Sequence, residues 1–104
     1  MSDEGTLEHT EVITRQEEEL KEPSMYQVVL LNDDYTTMEF VILVLETVFK
    51  KSPSEAKAIM LAVHEQGAGV AGVYTKEIAE TKVAITHHLS RQNEFPLKCI
   101  LEPE

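Results

Sequence analysis

A helix with both of its ends written into the sequence constrains this chain more than any other feature. Ser52-Pro53-Ser54-Glu55 is a capping box: a serine hydroxyl placed to accept a first-turn amide, and a glutamate three residues on to reach back. Pro53 stands at the first helical position, where its missing N–H costs nothing. Behind the box, Ala56, Ile59, Met60 and Val63 recur at helical spacing, so one face is apolar. Gly67 then stops the helix. The stretch Ala68 to Tyr74 is short, glycine-containing and valine-rich, which reads as a strand. The chain must therefore pass from helix to strand almost without a loop.

The other elements follow from similar punctuation. Tyr26 to Leu31 is rich in large and β-branched apolar residues and ends in Asn32-Asp33-Asp34, a strand running into a turn. Thr36-Thr37-Met38-Glu39 reads as another capping box, opening a helix from Met38 to Lys50 with Glu39, Glu46 and Lys50 as its solvent stripe. A third helix starts at Thr75 and runs to about Gln92, with Ile78, Ile85 and Leu89 at core spacing. Pro96 ends it, and Leu97 to Leu101 alternates as a last strand. The order strand, helix, helix, strand, helix, strand predicts an α+β fold: a small sandwich of a three-stranded antiparallel sheet and three helices.

Charge divides the chain. Net charge is −10 in 104 residues, room for one domain. Residues 1–24 hold eight acids and two bases, a net of −6, and residues 25–104 hold eleven acids and seven bases, a net of −4. The first segment has too few apolar residues to offset its ordering entropy and reads as a flexible acidic extension, with Thr14-Arg15-Gln16-Glu17 as a cap for a transient helix. Residues 25–104 form the core domain. An acidic surface does not displace counterions from phosphates, so nucleic acid is excluded as a partner, and an anionic membrane with it. The longest aliphatic and aromatic run, Phe40 to Leu45, is far short of the ~20 residues of a membrane helix. Cys99 is the only cysteine, so no internal disulfide forms, which fits a reducing, cytoplasmic setting.

Two stretches carry chemistry. Met60, Val63 and His64 share one helix face, and Asn32-Asp33-Asp34 leads into the helix that begins at Met38. Facing one another, they make a pocket with an apolar floor and a polar lip. An α-amino group is largely cationic near neutrality and presents three donors. Asn32 offers an amide oxygen, Asp33 and Asp34 offer carboxylates, and neutral His64 offers one ring nitrogen. Met38, Val41, Met60 and Val63 offer an adaptable apolar cavity. Each residue also has a plainer role. Asn-Asp-Asp after a strand is commonly a turn, a histidine near a helix C-terminus complements the dipole, and Met60 and Val63 serve equally as core.

The stretch Pro23 to Val41 (PSMYQVVLLNDDYTTMEFV) closely resembles the opening of the ClpS adaptor family. So do Met60 to His64, Gly72 to Thr75, Ala79 to Ala84 and Pro96 to Cys99, all in family order. The resemblance implies an adaptor that delivers N-end-rule substrates to the ClpA unfoldase of the ClpAP protease. It also implies a fold like the C-terminal domain of the ribosomal stalk protein. Carried over, contacts to the substrate α-amino group fall on Asn32, Asp33 and His64. The pocket for a first Leu, Phe, Tyr or Trp side chain falls on Asp34, Thr36, Met38, Val41, Met60, Val63 and Leu97. Contacts to the amino-terminal domain of the unfoldase fall on Glu77, Glu80 and Lys82, which otherwise read as an ordinary solvated helix face. Thr37 stands where the family usually has proline, and Gly67 to Ala71 is plainer than in many members.

The expected protein is a monomeric, non-enzymatic, cytoplasmic adaptor with no cofactor and no metal. An enzyme pairing Asp33 or Asp34 with His64 lacks a nucleophile, since Cys99 lies mid-strand and no serine sits in a glycine elbow. His87 and His88 are adjacent on a helix and point apart. A structural or ribosome-associated module of the same fold is the alternative, and would show no selectivity for peptide amino termini.

Overall fold

A computed structural model of the chain describes residues 24–104. The acidic extension and the cap at Thr14 therefore lie outside the described residues, apart from Ser24. The elements are β1 (Met25–Leu31), α1 (Met38–Thr47), α2 (Pro53–Gln66), β2 (Ala68–Thr75), α3 (Lys76–Gln92) and β3 (Lys98–Pro103). The order and fold class are those the sequence implies. β1 is the central strand, with β2 and β3 antiparallel on either side.

Alternation along β1 sets the layers. Val28 and Leu30 are fully buried and join Phe40, Val44, Leu45, Ala56, Met60 and Ala71 in one core between sheet and helices. On the other face, Val29 is flanked by its cross-strand partners Val70 and Ile100, both partly exposed. α3 packs on all three strands, while α2 packs on β2 and α1.

The box at Ser52 forms as read. The Ser52 amide donates to Glu55 Oε1 and the Glu55 amide donates to Ser52 Oγ, each over 3.2 Å. The box at Thr36 does not form. Thr37 is the N-cap, its Oγ1 accepting from the Phe40 amide at 3.1 Å, because the Thr36 hydroxyl is committed to Asp33. α1 also stops at Thr47, not Lys50. Lys50 takes a left-handed φ of 55° and the Lys51 amide bonds the Leu45 carbonyl, a helix ending that glycine ordinarily supplies.

α3 departs furthest from expectation. Ile78 and Ile85 are 49% and 44% exposed. The inward face is instead made of Ala79, Thr86 and Ser90, with Val83 and Leu89 partly buried beside them. Short side chains let the helix lie close on the sheet. The two buried hydroxyls cost little because each donates back one turn, Thr86 to the Lys82 carbonyl and Ser90 to the Thr86 carbonyl.

Since a left-handed lysine carries a Cβ penalty that glycine lacks, Lys50→Gly should raise the unfolding free energy by roughly 0.5–1 kcal/mol. Urea denaturation of the two proteins measures the difference.

Candidate binding site

The transition at Gly67 brings the site together. Gly67 has φ 89° and its amide closes α2 on the Val63 carbonyl at 3.0 Å. The next residue, Ala68, already pairs with Leu31 at the end of β1. One step further along β1, the Asn32 amide donates to the Gly67 carbonyl at 2.9 Å. The last turn of α2, which carries His64, is thereby fixed beside the first residue after β1. Gly69 keeps the contact close. A Cβ there would lie 2.8 Å from Val63 Cγ2 and 3.3 Å from the Ile59 carbonyl oxygen, so a side chain would push α2 off the sheet.

Between the two helices opens a cleft of about 430 Å³, near the small end of ligand-pocket sizes. Its floor is apolar: Val41, Met60 and Val63 are buried there, while Met38, at the head of α1, is 45% exposed at the mouth. Its lip carries Asn32, Asp33, Asp34, Thr36 and His64. Every residue named from the sequence for the amino-group and side-chain pocket lines this cleft except Leu97. Leu97 is buried in the core and borders a separate cleft beside α3. Tyr35 and Thr37 also line the site and were not among the residues picked from the sequence. Tyr35, 78% exposed, had one signal: a large aromatic inside an otherwise polar turn.

Asp33 organises the lip. Its Oδ1 accepts from the Tyr35 and Thr36 amides at 2.8 and 2.7 Å, and its Oδ2 accepts from Thr36 Oγ1 at 2.7 Å. Partial burial pushes the carboxyl upward, but the bonds from the Thr36 hydroxyl and the two amides outweigh it and hold Asp33 below its ordinary value. The carboxylate thus stays charged while pinning the loop, with lone pairs left on Oδ2. The C-terminus of α2 adds partial negative charge beside His64. The N-terminus of α1 adds partial positive charge, but two carboxylates outweigh half a unit. The lip favours a cation above an apolar floor.

Of the residues read as an unfoldase contact, Glu77 and Glu80 are exposed on α3. Lys82 is not free beside them. Its ammonium donates to the Val48 carbonyl at 2.6 Å and lies 5.5 Å from the Tyr74 ring centroid, capping α1 from below. Among the described residues no group of three or more His, Cys, Asp or Glu is placed to hold a metal.

The chain is similar to known proteins over most of its length. A family profile described as ATP-dependent Clp protease adaptor protein ClpS matches residues 21–100. The ATP-dependent Clp protease adapter protein ClpS of Nitratidesulfovibrio vulgaris (strain DSM 19637 / Miyazaki F) is 58% identical over 86 residues, covering 83% of this chain and 86% of that protein. The protein of the same name from Maricaulis maris (strain MCS10) is 51% identical over 102 residues, covering 98% and 94%. Among solved structures, Agrobacterium tumefaciens ClpS2 bound to L-phenylalaninamide aligns with a TM-score of 0.76 at 43% identity, over 79% of this chain and 99% of that one.

Asp33 yields a pH prediction. A carboxyl whose folded pKa lies below its unfolded value stabilises the fold above the unfolded value and loses that contribution as pH falls through the folded one. Asp33→Asn should therefore be less stable than the parent at neutral pH. Its stability should also fall less between about pH 5 and pH 2, as measured by urea midpoints across that range.

Proposed function

The chain belongs to the ClpS family of ATP-dependent Clp protease adaptor proteins, and on that premise we propose that its cleft holds the first residue of a substrate protein. The α-amino group is taken at the lip and a large hydrophobic side chain in the floor. The observation that carries this reading is the pairing of the two halves of the cleft. Met38, Val41, Met60 and Val63 form the floor, and acceptors from Asn32, Asp33 and His64 stand at its edge. An ammonium needs acceptors and negative potential, whereas Leu, Phe, Tyr or Trp needs an apolar space that reshapes, which methionine provides. L-Phenylalaninamide, the ligand in the A. tumefaciens relative, has a free α-amino group and a benzyl side chain, with an amide where a peptide would continue.

In this reading Asn32 and His64 accept directly, while Asp33 supplies charge and the spare lone pairs of Oδ2. Asp34 and Thr36 shape the rim. Leu97 acts from behind, by supporting the floor through the core. The adaptor does no chemistry of its own: it captures a substrate and hands it to the ClpA unfoldase of the ClpAP protease. The exposed carboxylates Glu77 and Glu80 face the unfoldase's amino-terminal domain. Lys82 acts on that surface by holding the end of α1 to α3.

Binding requires a free amino terminus, because acetylation removes the charge and a donor. A Phe-starting peptide should lose on the order of ten- to a hundredfold in affinity on acetylation, the scale of charge-assisted hydrogen bonds. His64→Ala should also weaken binding of the free-amine peptide, since it removes a ring nitrogen that accepts from the amino group, while leaving the already weak acetylated peptide little changed. Equal affinity of free and acetylated peptides in a fluorescence titration would sink the reading.

The delivery step has its own check. Glu77→Lys with Glu80→Lys should weaken capture by the unfoldase's amino-terminal domain while peptide affinity is retained, as read by pull-down and by titration in parallel.

A further inference from the structure

The hydrophobic core lies on one face of the sheet, yet the other face is apolar as well. Strand register sets the residues of that face in rows across the sheet. Ala68, Leu31 and Lys98 form one row, Val70, Val29 and Ile100 the middle row, and Val73, Gln27 and Glu102 the third. Val29 is buried although it stands outside the core cluster, and Val70, Val73 and Ile100 are exposed around it. A sheet with one solvated face ordinarily turns apolar residues inward and polar ones outward. Here the outward centre is valine and isoleucine, and among the described residues no element packs over it. A contiguous apolar patch rimmed by charge marks a contact surface.

The charges on this face identify what fits it. Within the three rows they are Lys98 and Glu102 alone, both exposed on β3, one to either side of Ile100. A second copy can lie face to face with the first, about a two-fold axis that runs across the strands over the middle row. The strands of the two copies then run antiparallel, with each β3 above the other. Lys98 of each copy meets Glu102 of the other, while Ile100, Val29 and Val70 meet their own counterparts. Ala68 lies over Val73, and Leu31 over Gln27, which brings only an uncharged amide. Packed sheets keep their strands within about 30° of each other and ~10 Å apart, a gap that lysine and glutamate side chains reach across. An axis along the strands would instead lay each β3 over a β2, setting Lys98 on Ala68 and Glu102 on Val73 without a partner for either charge.

We propose that this face is the contact between two copies of the chain, and that the pairs of Lys98 with Glu102 fix their relative direction. The contact is isologous, the same patch serving on both sides. Three strands ~4.8 Å apart and about seven residues long give a planar face of roughly 350 Å². That is under half of the ~800 Å² that each partner contributes to a standard interface. The pair therefore forms with a dissociation constant on the order of 100 μM. The net charge of −10 on each copy opposes any tighter association. The monomer expected from the sequence is the dilute state of this equilibrium. None of the residues in the three rows lines the cleft between α1 and α2, which stays open in both copies, so a pair carries two binding sites.

Sedimentation equilibrium of the full chain over about 10–1000 μM brackets that constant, at about 150 mM salt, where the Debye length is ~8 Å. The weight-average mass should rise from one chain towards two, and Ile100→Asp should remove the rise. Lys98→Glu and Glu102→Lys each set like charges at both pairs, and each should weaken association roughly ten- to thirtyfold. An effect of net charge alone would instead weaken the first and strengthen the second. Both reversals in one chain restore opposite signs and should return association to near that of the parent. An equimolar mixture of the two single variants should likewise associate more than either alone. Should Ile100→Asp not fold, the reversals decide, since Lys98 and Glu102 are exposed. A single-chain mass at every concentration would overturn the proposal and leave the face to residues 1–23 or to a different protein. Association unmoved by the single reversals, or not restored by the double one, would overturn it as well.

Discussion

The hydrogen bond from the Asn32 amide to the Gly67 carbonyl is the joint on which the site depends. It exists because a left-handed residue lets α2 become β2 with a single intervening residue. β2 is then held in register with β1 up to Leu31 and Ala68. A longer connection would leave His64 free to drift from Asn32, and a β-branched residue at Gly67 would resist the required φ. The close approach at Gly69 serves the same end, since Val63 sits where any side chain at that position would go. Two glycines thus set the distance between an imidazole and an amide that belong to different layers.

Polar groups at the lip divide into those that build it and those left over. Asp33 gives three bonds' worth of acceptor capacity to Tyr35 and Thr36. Thr37 gives its hydroxyl to α1. A ligand meets what remains: Asn32 and His64, the spare lone pairs of Asp33, and the field of two carboxylates. This economy has a physical use. Were the loop held only by its ligand, each binding event would also have to order the loop, at a cost in affinity. Because Asp33 orders it beforehand, binding need not supply the free energy of ordering the loop.

Legibility in the sequence tracks the range of the interaction. The Ser52 box and Gly67 are local, made within four residues, and both could be read directly. Met60, Val63 and His64 share a face by helical geometry alone. The inward face of α3 could not be read this way. Thr86 and Ser90 are polar by type and are buried because back-bonding satisfies their hydroxyls, while Ile78 and Ile85 are apolar by type and face outward. Thr36 differs from expectation for a related reason: its hydroxyl has two possible local partners, and Asp33 takes it in place of the helix. Lys82 and Leu97 depend on contacts across the fold, with Val48 and the core respectively, and no spacing rule reaches that far. The choice of an amino-group ligand over an ordinary turn came from family resemblance, not from the residues singly.

The pairing of Cys99 and His87 shows why apparent chemistry elsewhere in the chain is architecture. A thiol beside an imidazole, with Sγ 3.8 Å from Nε2, has the composition of a nucleophile and its base. The environment opposes that role. Burial pushes the Cys99 thiol up to about 11, a rise that a bond from Thr86 only partly offsets, so the nucleophilic thiolate is scarce at neutral pH. His87 is already spent, accepting the Cys99 amide at the outer side of β3. β3 is an edge strand, and an unsatisfied edge amide invites pairing with another chain. By taking that amide, His87 removes one free donor from the edge of β3.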